Sequence, residues 1–322
     1  MDGLRVAVLR GGPSSEYDVS LKSGANILKS LPEHIERHDI FIDRQGNWHF
    51  KGMATDPVKA LRNVDVVFNA MHGQYGEDGK VQKLLENINM PFTGADSLGA
   101  FFAMNKVLAK KKLGLLGLQT PGFSYIKKHD YTRDTVANIM DEVGYNAIVK
   151  PANTGSSLGI KRVSSLEDMI FAIEEAFNHS DLVLIEEFVD GIELTCGVLD
   201  HSNGEEVFAL YPIEIEHNSE SGFWDYNNKY NGESHKYHIP ARVPKSVREE
   251  VQRASVFAHN NLGLRHYSRS DFIYVPGRGL FFLETNALPG LTETSLYPHS
   301  LEQINVPFED FLEHVLNLAV GR

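Results

Sequence analysis

Four stretches of the chain carry side chains suited to chemistry. Lys150 sits in the apolar run AIVKP and is followed at once by PANTGSSLG. A lysine in an otherwise apolar strand is costly in a dry core and stays charged at ease only when it faces an anion. Thr154 to Gly159, with Ser156 and Ser157 between glycines, lets successive backbone amides close over such an anion. The loop is neither GxxxxGK[ST] nor the dinucleotide GxGxxG, and a Gly/Ser turn between strands is the plain alternative. RSDF (Arg269–Phe272) and FFLETNALPG (Phe281–Gly290) bring Asp271, Glu284 and Asn286 to neighbouring strand ends if the two segments pair antiparallel. Glu284 and Asn286 are two apart and share a sheet face. Carboxylate and amide oxygens without His or Cys suit Mg²⁺ better than zinc. The alternative is a solvated acidic edge, although Glu284 follows LFFL and needs compensation if buried. In GGPSSEYDVS, Glu16 near a helix start reads by itself as a helix-end carboxylate. HGQYGEDG (His72–Gly79) permits close backbone approach at its glycines and equally fits a surface loop.

The elements that must position these groups follow from periodicity and turn residues. Leu4–Leu9 is a strand running through Gly11-Gly12 into a helix with a stripe of Val19, Leu21, Ile27, Leu28 and Leu31, and with Ser15 and Asp18 as a capping box. Val64–Ala70 is a second buried strand, and the α/β unit closes near Phe92–Gly94. A helix from Ser97 to Gly114 is predicted, with Leu98, Phe101, Phe102, Leu108 and Leu113 inward. Strands near 123–126, 146–150, 159–163 and 182–186, with helices at 132–143 and 165–177, make a small α+β unit. A hairpin of Glu193–Leu199 and Val207–Ile215 opens the last third. The polar, aromatic-rich segment 217–237 has no period, and loops of that length are usually functional or disordered. Pro244 starts a helix, and Tyr267–Val275 and Leu280–Glu284 flank the turn PGRG. Three domains are expected: 1–94, 95–186 and 187–322, with an α/β fold first and α+β folds after it.

At 322 residues the chain is too long for one ordinary core. Its formal charge of −12 argues against an extended nucleic-acid surface and leaves room for a small polyanion. No apolar run approaches the roughly 20 residues of a membrane span, and Met1–Arg10 lacks a signal-peptide pattern, so no membrane association and a cytoplasmic location are expected. The single cysteine, Cys196 in ELTCGVL, rules out an intramolecular disulfide and reads as a core residue.

Taken in series, GGPSSEYDVSLKSG, HGQYGEDGKVQKLLE, PFTGADSLGAFFAMNK, VKPANTGSSLGI, LIEEFVDGIEL, FWDYNNKY, RSDF and LETNALPGLTETSLYP resemble the D-alanine:D-alanine ligases of the ATP-grasp superfamily. The likeness covers nearly the whole chain in the family's order. It implies a three-domain ATP-grasp fold with a Rossmann-like N-terminal domain, and ATP held between the central and C-terminal domains.

The resemblance also implies roles. Lys106 and Lys150 match groups on the phosphates, with Ser156 and Ser157 in the loop folded over them. Glu186, Glu187 and Val189 match the adenine hinge, and Glu193 matches the ribose contact. Asp271, Glu284 and Asn286 match ligands of a Mg²⁺ pair, with Mn²⁺ able to substitute. Arg269 and the Gly290 amide match the stabilisers of the oxyanion. Glu16 matches the anchor of the first substrate's ammonium, His72 lies near that substrate, and Ser295 with the Leu296 amide matches the receptor of the second carboxylate. Lys229 and Tyr230 fall in a lid at about 217–237, where Tyr230 would bond Ser156 and Glu16. Relatives that make a D-alanyl-D-lactate ester lack that tyrosine, which favours an amine as second nucleophile. A homodimer through N-terminal regions is a further implication. The implied reaction is ATP-dependent joining of two D-alanines through an acyl phosphate. A ligase for another small amino or hydroxy acid pair, and a silent ATP-binding protein, are the alternatives; substrate-dependent phosphate release separates them. Departures from the family pattern are Asn105 where aspartate is usual, Ala287 after Asn286, and Ser270 in HYSRSDF.

Overall fold

The computed structural model describes residues 3–155, 159–201, 206–217 and 235–321. Three sheets organise them. The first runs β4-β3-β2-β1-β5, with β1 (Arg5–Gly11), β2 (Glu36–Ile42), β3 (Trp48–Phe50), β4 (Met53–Thr55) and β5 (Val66–Asn69). Strand β1 is parallel to both β2 and β5, as an apolar strand covered on two faces should be. Helix α1 (Tyr17–Ser30) crosses between β1 and β2, whereas β5 lies on the other side of β1. The β1/β5 crevice is therefore a point where strand order reverses, and loops at the carboxyl ends of such strands are natural ligand sites. Those loops hold Glu16 and His72. Short helices α2 (Pro57–Ala60) and α3 (Lys80–Asn87) follow.

Helix α1 departs from expectation. The Ser15–Asp18 capping box does not form; Glu16 is the N-cap residue and makes no side-chain cap bond. The inward face carries Ser20, Ser23 and Gly24 beside Ile27, while Val19, Leu21 and Leu28 are only half-buried. Hydroxyls occupy that face because His72 is seated against them.

The predicted helix from 97 to 114 is two helices, α4 (Ser97–Met104) and α5 (Lys106–Leu115). Asn105 adopts an extended conformation and caps α5 by accepting the Leu108 amide at 3.0 Å. Asparagine and aspartate cap equally well, which accounts for the departure at this position. Leu113 is buried as expected, but Leu98 and Phe101 are exposed, and Ala100, Ala103 and Val107 are buried in their place.

The second sheet is antiparallel in the order β6-β9-β7-β8: β6 (Phe123–Lys127), β7 (Ala147–Pro151), β8 (Lys161–Val163) and β9 (Leu182–Glu187). Helices α6 (Arg133–Val143) and α7 (Leu166–Ala176), capped by Thr132 and Ser165, join its core. The third sheet contains β10 (Ile192–Asp200), β11 (Val207–Ala209), β12 (Ile213–His217), β13 (His235–His238), β14 (Tyr267–Val275) and β15 (Gly279–Asn286). The expected hairpin partner 207–215 is split into β11 and β12, since Pro212 has no amide to give a ladder. Helix α8 (Lys245–Leu262) covers one face of this sheet.

The cores cut across sequence order. Ala100, Ala103, Ala109 and Leu113 pack with α8 and the third sheet. At the other end, α9 (Leu296–Glu302) and α10 (Phe308–Val320) return to the first sheet, with Phe311, Leu312 and Val315 against Val6, Val8 and Phe68. Cys196 is buried under the third sheet, its thiol pushed up to about 12 by burial, as a core residue should be. Among the described residues no helix is long and apolar enough to cross a membrane.

Candidate functional site

Alternation along the strands creates a polar cleft between the second and third sheets. On β7 and β9, Ala147, Val149, Val183 and Ile185 join the core with α6 and α7. Their neighbours Lys150 and Glu186 must then project from the opposite face. The Lys150 ammonium pairs with Glu186 Oε1, and Lys110 Nζ from α5 lies 2.9 Å from Glu186 Oε2. Lys110 Nζ also donates to Thr120 Oγ1 at 2.9 Å and to the Phe282 carbonyl of β15 at 3.1 Å, so one ammonium ties the two sheets together. Burial opposes every charge in this group. It wins at Lys110, whose pKa falls to about 8 with Lys150 adding repulsion. At Lys150 and Glu186 opposite charges outweigh it, so the lysine is raised and the carboxylate lowered.

The facing sheet supplies the oxygen ligands. In the β14–β15 register Asp271 lies opposite Glu284 and Arg269 opposite Asn286. A bulge follows, because Phe272 pairs with Phe282 and Leu283 is passed over. In an unbroken strand Glu284 would share the face of Phe282, which is in the core; the bulge turns Glu284 to the cleft. Thr195 Oγ1 donates to Asp271 Oδ1 at 2.5 Å, and Arg269 forks onto the same carboxylate through Nε at 3.1 Å and Nη2 at 3.2 Å. Burial opposes the Arg269 charge, but Asp271, Glu284 and Glu193 raise its pKa nonetheless. Asn286 Nδ2 donates to Asp271 Oδ2 at 3.1 Å, which leaves its amide oxygen as the atom to offer a cation. Lys106 Nζ lies 3.2 Å from Glu284 Oε2 and donates to the Thr154 carbonyl at 2.6 Å. Lys106, Thr154, Gly155, Glu284, Asn286 and Glu77 line one cavity. Among the described residues no three His, Cys, Asp or Glu side chains form a metal cluster. The set is instead two carboxylates and one amide, a hard all-oxygen set that fits Mg²⁺ completed by waters and phosphate.

The first sheet adds the third wall. A side chain at Gly155 would overlap Glu16 Oε2, and one at Gly73, held at φ +75°, would come within 2.7 Å of the same oxygen. The Glu16 carboxylate is thus wedged between the 72–79 loop and the glycine-rich loop of the second sheet. Ser14 Oγ donates to the His72 carbonyl at 2.7 Å and accepts the Glu16 amide at 3.1 Å, which fixes the turn. His72 is buried, and burial lowers its pKa to about 4. Glu77 is buried too; desolvation, with Glu16 second, pushes its carboxyl up to about 8.

The facing walls thus bring Lys106, Lys150, Glu186, Arg269, Asp271, Glu284 and Asn286 together, with Glu16 and His72 on the first sheet's loops beside them. Val189 is buried just beyond β9, and Glu187 is held by Arg278 Nη2 at 2.8 Å. Glu193 lies opposite Ile273 on β10. Ser295, the N-cap residue of α9, packs against Gly290, where a Cβ would approach its Oγ to 2.9 Å; Leu296 opens the helix. Ser156, Ser157, Lys229 and Tyr230, with most of the 217–237 segment, lie outside the described residues. Lys110, Thr195, Ser23 and Glu77 were not singled out from sequence. The one available signal was the i, i+4 spacing of Lys106 and Lys110, which puts both on one face of α5.

The family model described as D-ala D-ala ligase C-terminus matches residues 113–317, and that described as D-ala D-ala ligase N-terminus matches 5–60 and 51–95. The D-alanine--D-alanine ligase of Syntrophotalea carbinolica is 37% identical over 313 residues, covering 97% of this chain and 95% of that protein. The enzyme of the same name from Halalkalibacterium halodurans is 37% identical over 325 residues, 99% of this chain and 100% of the relative. Among solved structures, the VanG D-Ala:D-Ser ligase from Enterococcus faecalis aligns with a TM-score of 0.85 at 30% identity, over 98% of this chain and 99% of that one. The D-alanine-D-alanine ligase from Coxiella burnetii aligns at 0.85 with 25% identity, over 100% and 95%.

Proposed function

The chain belongs to the D-alanine–D-alanine ligase family, and from that premise and the cleft geometry we propose how its residues divide the work. The fold is the multidomain ATP-grasp fold. The enzyme joins two D-alanine molecules to D-alanyl-D-alanine at the expense of ATP, a step of cell-wall peptidoglycan synthesis.

ATP lies between the second and third sheets. Its adenine meets Glu186, Glu187 and Val189, its ribose meets Glu193, and its phosphates meet Lys106, Lys150 and the 154–159 loop that includes Ser156 and Ser157. Asp271, Glu284 and Asn286 would hold a pair of Mg²⁺ ions, whose charge would offset that of the phosphates. The observation that carries this reading is the opposition of the two sheets: Lys150 on one faces the Asp271–Glu284–Asn286 set on the other, and Lys106 reaches both Thr154 and Glu284.

Glu16 binds the ammonium of the first D-alanine, directing its carboxylate to the γ-phosphorus. ADP leaves and an acyl phosphate forms, which converts a poor electrophile into a good one. The second D-alanine, oriented by Ser295 and the Leu296 amide at its carboxylate, attacks the acyl carbon as its neutral amine, and the N–H proton it gives up goes to the departing phosphate. Arg269 and the Gly290 amide stabilise the oxyanion that develops there, and phosphate then departs. The roles that the family resemblance gives Lys229 and Tyr230 fall on residues outside the described ones. A homodimer through N-terminal regions is part of the proposal.

The test is phosphate release with D-alanine, L-alanine, D-serine and D-lactate, with the products weighed by mass spectrometry. D-alanine is expected to stimulate release and to give D-alanyl-D-alanine. D-serine is included because one solved structure similar to this chain is named a D-Ala:D-Ser ligase. Product formed from D-serine in preference to a second D-alanine would overturn the assigned second substrate.

A further inference from the structure

The segment Leu288–Leu291, which carries Gly290, is held almost entirely from outside its own sheet. The Leu288 carbonyl accepts from His72 Nδ1 at 3.1 Å, and the Leu288 amide donates to Glu77 Oε1 at 3.3 Å. The other end is caught by α1. The Leu291 amide donates to Ser23 Oγ at 3.4 Å, and the Leu291 carbonyl accepts from Asn26 Nδ2 at 2.8 Å. Ser23 Oγ and His72 Nε2, 2.8 Å apart, join the two halves.

Proton placement on His72 and Ser23 follows from their partners. A carbonyl only accepts, so His72 carries its hydrogen on Nδ1, and Nε2 accepts from the Ser23 hydroxyl. The ring stays neutral because it is buried. Both ring nitrogens are then committed, and no donor remains for a substrate. Glu77 is committed likewise: Oε2 accepts the Gly73 amide at 2.6 Å while Oε1 holds Leu288. Ser23, His72 and Glu77 are all buried, so each lost contact would leave a polar group without water.

We infer that Ser23, His72 and Glu77 are positioning residues that preset the Gly290 amide at the reacting carbonyl, and that His72 acts through the Leu288 backbone and does not touch substrate. The inference rests on the assignment of the Gly290 amide as an oxyanion donor. Such a donor contributes only when already aimed at the place where charge develops. The segment leaves the third sheet and leads to α9 and α10, which pack on the first, so neither sheet's ladder fixes it. Side chains from the first sheet's loops and helix do so instead.

The test compares Glu77→Gln, Ser23→Ala, His72→Asn, His72→Leu and Arg269→Ala in the full-length enzyme, reading kcat, KM for ATP and for D-alanine, and thermal midpoint. Glu77→Gln presents an NH₂ to one of two backbone amides and should lower kcat by about 10–10²-fold with KM for ATP within about twofold. Ser23→Ala should shift kcat the same way by a smaller factor. Asparagine at 72 retains a donor near Nδ1, so His72→Asn should keep more of kcat than His72→Leu at similar thermal midpoint. The clamp is overturned if kcat is unchanged in Glu77→Gln and Ser23→Ala, if the loss lies in KM for D-alanine alone, or if His72→Asn and His72→Leu are equally impaired. Should Glu77→Gln fail to fold, Ser23→Ala and the His72 pair decide. Arg269→Ala separates the two levels: its activity must fall if the oxyanion reading holds, whatever the clamp does.

Discussion

Removing the carboxylate of Glu186 should cost more than removing the ammonium of Lys110, although both changes break the same contact. Glu186→Gln leaves Lys110 and Lys150 facing each other in a pocket where neither side chain is more than 6% exposed. Losing one partner of a buried ion pair costs about 3–5 kcal/mol. The ceiling is set by deprotonation: holding a lysine of ordinary pKa 10.5 neutral at pH 7 costs about 5 kcal/mol. Lys110→Met leaves the Lys150–Glu186 pair intact and removes donors from Thr120 and the Phe282 carbonyl, a loss of about 1–3 kcal/mol. The sign with pH follows from linkage. A lysine depressed in the folded state binds fewer protons than in the unfolded chain, so stability of Glu186→Gln should rise with pH up to the unfolded value, by at most about 1.4 kcal/mol per unit. Denaturant midpoints of parent, both single variants and the double variant at pH 7 and 9 measure this. Non-additivity of roughly 1–3 kcal/mol in the cycle is expected. Equal destabilisation by the two single changes, or a Glu186→Gln deficit identical at pH 7 and 9, would show that the lysines do not compete for one carboxylate.

Three further outcomes are expected. Glu284→Gln should abolish Mg·ATP-dependent turnover, and near-normal phosphate release would remove Glu284 from the ligand set. Gly155→Ala drives a methyl group into the Glu16 carboxylate and should raise KM for D-alanine about tenfold, a factor worth about 1.4 kcal/mol, without changing thermal midpoint by more than a few degrees; an unchanged KM would separate Glu16 from the ammonium. His72, neutral when folded and pushed down to about 4, contributes stability that is present above pH 6.5 and lost as pH falls toward 4, by at most about 3 kcal/mol. His72→Asn should flatten that part of the acid limb, and a superimposable pH profile would contradict the buried neutral ring.

Much of the site was legible before folding because it depends on short-range order. Lys150 in AIVKP stands out as a charge in an apolar strand, and the two-residue period alone puts Glu284 and Asn286 on one face. Turn and cap residues were equally local: Thr132 and Ser165 begin their helices as their types suggest. Where periodicity failed, a distant partner intervened. The 97–114 helix breaks at Asn105 because the Lys106 amide docks on the Ala152 carbonyl. Lys110 lies in the run KKK and is fully buried because β15 and β9 meet over it; its contact with Phe282 spans 172 residues.

Local sequence thus decides which residues carry charge, which strands alternate and where helices begin, since those depend on neighbours within a few positions. It does not decide which face water will reach. The bulge at Leu283 changes the phase of β15, so that Phe282 enters the core while Glu284 enters the cleft. Glu77 gains its raised pKa from burial beside Glu16 and its task from Leu288, 211 residues away. Burial and long-range hydrogen bonding are properties of the assembled sheets, and only their assembly converts a polar loop and a helix of serines into a scaffold for one backbone amide.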